Sequence, residues 1–217
     1  AWLSTPVSVF ISIQSPLNPL CASAIKRSGT PGNNPSAYNA NLFFAVVPAP
    51  FGTDNINTSG MATTAGAVAL KNNYTDDAFI VKQLKAKGAI ILGKANLSEW
   101  AYFFCGDCPS GYSAIGGQTF NPYGRKIIDT GGSSSGSAVA VAANFCAAAI
   151  GSETSGSILS PSSQNSAVGL KPTIGLVSRN GIIPISSTLD TAGPITRNVT
   201  DNAILFEAIM SYDAEDF

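Results

Sequence analysis

The chain has 217 residues, of which 45% are hydrophobic and only 12% are charged, and its net charge is −1. Charged residues usually make up about 25% of a soluble domain, so much of this chain must lie in an interior or against another polypeptide. Its 12 basic residues form no basic run. The sequence therefore lacks the electrostatic footprint of a nucleic-acid-binding protein, and we expect no nucleic-acid partner.

The sequence contains no histidine. This absence excludes Ser-His-Asp and Cys-His hydrolases, because their general base is an imidazole. It also excludes most zinc enzymes, whose catalytic ligand sets depend on histidine. We therefore expect no metal and no cofactor, and any hydrolysis must depend on Ser, Thr, Lys, carboxylates or backbone groups.

The cysteines and the glycosylation triplets give information on the cellular compartment of the protein. Cys105 and Cys108 form a CxxC pair, which fits either a disulfide or buried thiols, and a zinc site would need a second such pair. The N-x-S/T triplets favour a secreted glycoprotein slightly over a cytoplasmic protein; they begin at Asn57, Asn73, Asn96 and Asn198. No apolar run approaches the roughly 18 residues that cross a bilayer, so no membrane span is expected. The first residues lack a positively charged n-region followed by a clear h-region, so we expect no intact signal peptide there.

Residues 1–40 form a lead-in segment rich in Ser, Pro, Asn and Ala, and the predicted elements begin after it. The apolar run LFFAVVPAPF predicts a strand that ends in a turn. Thr75 then predicts the N-cap of a helix that ends before Gly88, and AIILG at 89–93 predicts a short buried strand.

The second half of the chain continues this alternation. A helix is predicted from Ser134 through AVAVAANF, and CAAAIGS at 146–152 predicts another buried strand. A last helix is predicted with Thr200 as its N-cap. Apolar strands alternating with helices predict an α/β fold with a mixed, largely parallel central sheet covered by helices on both sides.

Two turns rich in Ser and Gly concentrate the candidate chemistry. GGSSSGS, from Gly131 to Ser137, leads into a predicted helix, and GSETSGSILSPSS, from Gly151 to Ser163, follows a buried strand. Glycines permit tight turns, and the N–H groups of such turns can converge on an anion. Each turn alone would also fit an ordinary loop.

These turns belong to an ordered series of blocks that resembles the amidase-signature family over residues 41–217. The blocks are GTDNINTSGMATTAGAVAL, GAIILGKANLSEWA, GGQTFNPYG, GGSSSGSAVAVAA, GSETSGSILSPSS and VGLKPTIGLVSRNGIIPISSTLDTAGPITR. The resemblance is to the N-terminal half of a secreted or fungal-type amidase, and it implies that the chain hydrolyses the C–N bond of a small carboxamide. It also implies a C-terminal half outside this chain, present as part of a longer polypeptide or as a companion fragment.

The family's Ser–cis-Ser–Lys triad implies roles for particular residues. Ser157 matches the nucleophile, and Ser133 matches the bridging serine after a cis peptide bond. Backbone N–H groups from Thr154, Ser155, Gly156 and Ser157 would form the oxyanion hole. Such a site forms an acyl-enzyme that water later releases. Taken alone, Ser133 would instead fit a helix N-cap.

The position of the family's base lysine is the main departure, because Thr53 stands there. A threonine hydroxyl has no accessible basic form near neutral pH, and removing a positioned acid–base group costs about 10²–10⁴ in rate. Lys94 and Lys171 are interpreted as structural or surface residues rather than substitute bases. Near the nucleophile, Ser155 and Leu159 also depart from the residues common in the family, which could alter the substrate pocket.

Three functions therefore remain open from the sequence. The chain is an amidase acting through Ser157, a catalytically impaired amidase-like protein that binds its ligand without cleavage, or an amidotransferase subunit that acts with partner subunits. Thr53 distinguishes the amidase from the impaired binding protein, and dependence on partner subunits distinguishes the amidotransferase subunit from both.

Overall fold

The computed structural model describes residues 54–105 and 107–216, together with the backbone of residues 43–44. The lead-in segment 1–40 and Thr53 lie outside the described residues. Within the described ranges, no helix combines the length and hydrophobicity that crossing a bilayer requires.

A five-stranded mixed sheet forms the centre of the molecule. Its strands are β1 (Phe43–Phe44), β2 (Ile90–Ile91), β5 (Ala148–Glu153), β6 (Val168–Gly169) and β7 (Thr191–Thr196). They lie in the order β2-β1-β5-β7-β6. β1 pairs in parallel with β2 and β5, whereas β7 pairs antiparallel with β5 and β6. The prediction of a mixed α/β sheet is confirmed. The described pairings are two parallel and two antiparallel, so the parallel share is smaller than expected, because β6 and β7, which were not predicted, add the antiparallel pairings. A separate hairpin joins β3 (Tyr112–Ser113) to β4 (Gly117–Gln118).

In the described part of the chain, four α-helices accompany the sheet. They are α1 (Phe79–Ala86), α2 (Ser135–Ala142), α3 (Leu159–Gln164) and α4 (Val199–Ile209). Alternate residues of β5 enter different hydrophobic clusters: Ile150 packs with residues of α1 and α4, and Ala149 packs with residues of α2. Because successive side chains of a strand point to opposite faces, helices cover both faces of β5 and the core has the expected α/β/α layering.

Two of the predicted N-caps were wrong. Helix α1 begins four residues after Thr75, which caps no helix: the N-cap is Ala78. Helix α4 is capped by Asn198, whose side chain accepts a hydrogen bond from the N–H of Asp201, so Thr200 lies inside the helix. Asparagine caps helices as well as serine or threonine does, and the cap two residues earlier satisfies a backbone donor that Thr200 would leave unpaired.

The first turn of helix α2 packs closely because its buried residues are small. Gly136 is buried, and a Cβ atom there would lie 2.4 Å from the carbonyl oxygen of Asn96. The N–H of Gly136 donates to that same oxygen at 2.8 Å. This close approach holds the first turn of α2, and the serines in front of it, against the segment around Asn96.

Candidate active site

The two Ser-Gly turns lie side by side. Ser133 follows a cis peptide bond from Gly132, as the resemblance implies. The N–H of Ser134 donates to the carbonyl oxygen of Ser157 at 3.1 Å. The hydroxyl of Ser134 also bonds the backbone of Ser152, donating to its carbonyl oxygen and accepting from its N–H at 3.1 Å each. These bonds tie the turn before α2 to the end of β5.

Ser133 and Ser157 line the same cavity, whose volume is about 220 Å³. Ser133 is 1% exposed and Ser157 is 9% exposed. The buried Ser133 Oγ forms no hydrogen bond with any described residue, so it makes no bond to Ser157 Oγ in this structure. The fold thus brings the two predicted serines into one cavity without linking their hydroxyls.

The carboxylate of Glu153 shapes the turn that carries Ser157. Its Oε1 accepts the N–H of Gly156 at 2.7 Å, and its Oε2 accepts the N–H groups of Ile158 at 2.7 Å and Leu159 at 2.9 Å. Because Glu153 is buried, at 3% exposure, these bonds are shielded from water. Gly156 therefore directs its N–H at Glu153, which leaves three of the four predicted oxyanion amides for that role, those of Thr154, Ser155 and Ser157.

An apolar segment forms one wall of the cavity that the serines also line. It comprises Ile182, Ile183, Pro184 and Ile185. Backbone hydrogen bonds fasten it to the chain around Asn55: Ile183 N–H donates to Asn55 O at 2.9 Å, and Asn57 N–H donates to Gly181 O at 2.8 Å. The wall is therefore attached to the residues that directly follow Thr53 in the sequence.

The two lysines of the matching blocks have structural positions. Lys94 is 3% exposed, and its Nζ donates to Thr63 Oγ1 at 2.7 Å and to the Ala62 carbonyl oxygen at 3.3 Å. Burial lowers the pKa of Lys94, although the nearby Asp54 carboxylate acts in the opposite direction. Lys171 Nζ donates to the Thr154 carbonyl oxygen at 2.8 Å, beside the candidate oxyanion turn. Lys94 is thus a core residue and not a surface residue.

Several residues around the cavity were not singled out in the sequence. Asn55 Nδ2 donates to the Ile183 carbonyl oxygen, and Asn55 Oδ1 accepts the Ser152 hydroxyl at 3.1 Å. At the rim, Arg179 Nε lies 2.9 Å from Asp216 Oδ1, and Arg179 Nη1 donates to the Ser187 carbonyl oxygen. All of these residues but Asp216 fall within the resembling blocks, but only the folded contacts distinguish them from their neighbours.

The cysteines and one glycosylation triplet have defined contacts, and the triplet that begins at Asn96 adjoins the site, because the N–H of Ser98 donates to the Ser133 carbonyl oxygen at 3.0 Å. Cys105 and Cys108 form a disulfide, which settles the alternatives left by the CxxC spacing, whereas Cys146 is buried in the α2 cluster. Asn96 Nδ2 donates to the Gly111 and Gly117 carbonyl oxygens and to Thr119 Oγ1, each at 2.9 Å, so this amide is already occupied.

Comparison with known proteins gives one consistent result. The family model described as Amidase matches residues 36–217. A probable amidase of Arabidopsis thaliana is 52% identical over 165 residues, which are 75% of this chain and 32% of that protein. A glutamyl-tRNA(Gln) amidotransferase subunit of Lawsonia intracellularis is 48% identical over 164 residues, which are 75% of this chain and 33% of that protein.

Solved structures agree with the sequence matches. The native peptide amidase of Stenotrophomonas maltophilia is 54% identical, with a TM-score of 0.74 over 80% of this chain and 34% of that one. An amidase family protein of Bacillus anthracis is 51% identical, with a TM-score of 0.75 over 81% of this chain and 34% of that one. The chain therefore spans about a third of the length of the relatives it matches.

Proposed function

We propose that this chain, which belongs to the amidase family, hydrolyses carboxamides through an acyl-enzyme formed on Ser157. The observation that carries the proposal is that Ser133 and Ser157 line one cavity. A backbone hydrogen bond joins the two turns on which they lie. In this reaction Ser157 Oγ attacks the amide carbonyl carbon, the amine leaves with a proton, and water releases the acid.

The surroundings of Ser157 support this chemistry. Backbone N–H groups at the turn after β5 would donate hydrogen bonds to the carbonyl oxygen while negative charge develops on it. Losing one such donor costs about 10²–10³ in rate. The Ser133 hydroxyl has no protein acceptor or donor among the described residues. A buried hydroxyl is usually hydrogen-bonded, so one without a bond in a cavity fits a group that pairs with substrate or with the nucleophile during reaction.

The wall of the cavity indicates the acyl group. Ile182, Ile183 and Ile185 line the cavity together with the two serines, and the cation of the lining, Arg179, is paired with Asp216. Apolar walls with a few polar groups are typical of pockets that hold the body of a neutral ligand. We therefore expect amides of apolar acids to be hydrolysed faster than amides of acids that carry a second charge.

Thr53 supports a second candidate, a protein that binds amides without cleaving them. The sequence places threonine where the family's base lysine stands, and a hydroxyl cannot replace an amine as a base near neutral pH. Replacing Thr53 by lysine should then raise amide hydrolysis by about 10²–10⁴, the range expected for restoring an acid–base group.

A third candidate is an amidotransferase subunit, which the similarity to the glutamyl-tRNA(Gln) amidotransferase of Lawsonia intracellularis favours. This function requires partner subunits in the purified complex. Co-purification from the native source distinguishes it, because a hydrolase acting alone elutes without stoichiometric partners.

The deciding experiment measures the release of amine from a panel of small amides by the purified protein. Three variants accompany it: Ser157→Ala, Thr53→Lys and, as a matched control, Ser163→Ala, which removes an exposed hydroxyl of α3. We expect Ser157→Ala to abolish release and Ser163→Ala to leave it unchanged. Activity that survives Ser157→Ala contradicts the proposal, and so does the absence of activity in the protein itself. Activity that appears only in Thr53→Lys supports the binding protein instead.

A further inference from the structure

The pairing of β5 with β7 places Thr154 opposite Asp190. The two strands are antiparallel, and their last pair joins Glu153 to Thr191. One step beyond this pair, Thr154 follows β5 and Asp190 precedes β7, so the register brings the two side chains within reach. The Thr154 hydroxyl donates a hydrogen bond to Asp190 Oδ1.

The other oxygen of the same carboxylate holds the wall of the cavity. Asp190 Oδ2 accepts the N–H of Ile185 at 2.7 Å and the N–H of Ser186 at 2.8 Å. Ile185 and Ser186 line the cavity together with Thr154 and Ser157. One carboxylate therefore bonds both the turn that carries Ser157 and the apolar wall of the same cavity.

Lys171 fixes Thr154 from a second direction. Its Nζ donates to the Thr154 carbonyl oxygen at 2.8 Å. In a planar trans peptide the carbonyl and the following N–H point in opposite directions. With its carbonyl oxygen held toward Lys171, which does not line the cavity, the Thr154–Ser155 peptide directs the N–H of Ser155 to the other side. The side-chain bond to Asp190 then limits rotation of this turn.

We propose that Asp190 is a positioning residue. It couples the turn at residues 154–157, which holds the candidate oxyanion amides, to the apolar wall of the cavity at Ile185 and Ser186. The inference rests on the proposed function, since it assigns Asp190 a part in the same amide hydrolysis. The partners of the Asp190 carboxylate are all donors, and a carboxylate is the side chain that offers only acceptors. Through these contacts, an acyl group pressed against Ile185 and the carbonyl oxygen held at residues 154–157 are kept in one fixed relative position.

Asparagine at position 190 tests separately the bond to the Thr154 hydroxyl and the bonds to the backbone N–H groups of the wall. The amide of Asp190→Asn offers one acceptor, which the two backbone N–H groups of the wall require, and one NH₂ donor. The Thr154 hydroxyl can rotate and accept a hydrogen bond from that NH₂, whereas a backbone N–H cannot reverse. Asparagine should therefore preserve much of the coupling while Thr154 is present, and valine at position 154 should abolish it.

The kinetic experiment compares four variants of the purified protein with the parent: Asp190→Ala, Asp190→Asn, Thr154→Val and the double variant Asp190→Asn with Thr154→Val. Rates are normalised to the fraction of Ser157 that reacts with a fluorophosphonate, which corrects for unfolded protein. Misplacement of reacting groups by about 1 Å costs about 10²-fold, so kcat of Asp190→Ala and of the double variant should fall by about that factor. Asp190→Asn alone should stay within about tenfold of the parent, with KM changed less than kcat.

A purely structural role predicts a different pattern. It lowers the folded fraction of all Asp190 variants and leaves kcat per reactive Ser157 unchanged, which overturns the proposal. Equal loss in Asp190→Asn and Asp190→Ala, whether or not Thr154 is replaced, also contradicts the hydroxyl-mediated coupling.

A second measurement tests the coupling without any turnover. Hydrogen–deuterium exchange of Asp190→Ala should increase together at residues 185–186 and at residues 154–157, with Asp76→Ala as the control for loss of an exposed carboxylate. Faster exchange at only one of the two segments contradicts the proposal. If the parent neither hydrolyses amides nor labels at Ser157, the proposed function fails, while this measurement still decides whether Asp190 joins the two segments.

Discussion

The N–H of Ser134 donates a hydrogen bond to the carbonyl oxygen of Ser157, and this 3.1 Å bond joins two turns that lie more than twenty residues apart in the chain. This bond connects the backbone next to Ser133 directly to the backbone of Ser157, the candidate nucleophile. Helix α2 and strand β5 fix the two ends of this contact, so the cavity between the serines depends on the packing of the core.

The first prediction concerns Glu153 and the shape of the turn that carries Ser157. Replacing Glu153 by glutamine substitutes an NH₂ donor for one oxygen that now accepts a backbone N–H. A buried donor left without an acceptor costs about 1–3 kcal/mol, so the free energy of unfolding should fall by this amount. Urea unfolding measures it, with Glu207→Gln on the exposed face of α4 as the control. Equal effects of the two variants would contradict the role assigned to Glu153.

The second prediction compares two ion pairs of different exposure. The side chains of Arg179 and Asp216 are 15% and 11% exposed, whereas Lys85 of the pair Lys85–Asp77 is 40% exposed. Replacing Arg179 by methionine should reduce the free energy of unfolding by about 1.5–3 kcal/mol, because hydrogen bonds to charged groups are strong when shielded. Lys85→Met should cost less than about 1 kcal/mol, as exposed pairs do. Denaturant unfolding of both variants checks this order, and the reverse order would refute it.

The third prediction concerns the dependence of stability on pH. Burial lowers the pKa of Lys94 below the usual lysine value of 10.5, so the folded state releases this proton at a lower pH than the unfolded state does. Between these two pKa values the unfolded state binds more protons, and the free energy of unfolding should therefore rise with pH. Lys94→Met should remove this rise, while Lys82→Met, on the exposed side of α1, should retain it. Unfolding measured from neutral pH to about pH 10.5 tests the prediction, and a rise that persists in Lys94→Met contradicts it.

The sequence predicted the elements that carry the serines better than it predicted the network around them. Small residues after Ser134 and the apolar run before Ser152 are local signals, and they predicted α2 and β5, whereas the pairing of Ser133 with Ser157 came from the resemblance to the amidase-signature family. Asp190 and Asn55 escaped notice because their roles depend on residues distant in sequence, brought close by the antiparallel pairing of β7 and by the bridge between Ile56 and Ile182. Thr75 illustrates the opposite error: a good capping residue caps no helix, because the chain turns into α1 only at Ala78.

The most direct test of the account measures which residue a fluorophosphonate labels and how the rate depends on Ser133. The account predicts labelling of Ser157 in the parent protein and a decrease of about 10²–10⁴ in the labelling rate of Ser133→Ala, the range for losing a proton-transfer group. Labelling at any other serine, or an unchanged rate in Ser133→Ala, would show that the two hydroxyls of the cavity do not act together.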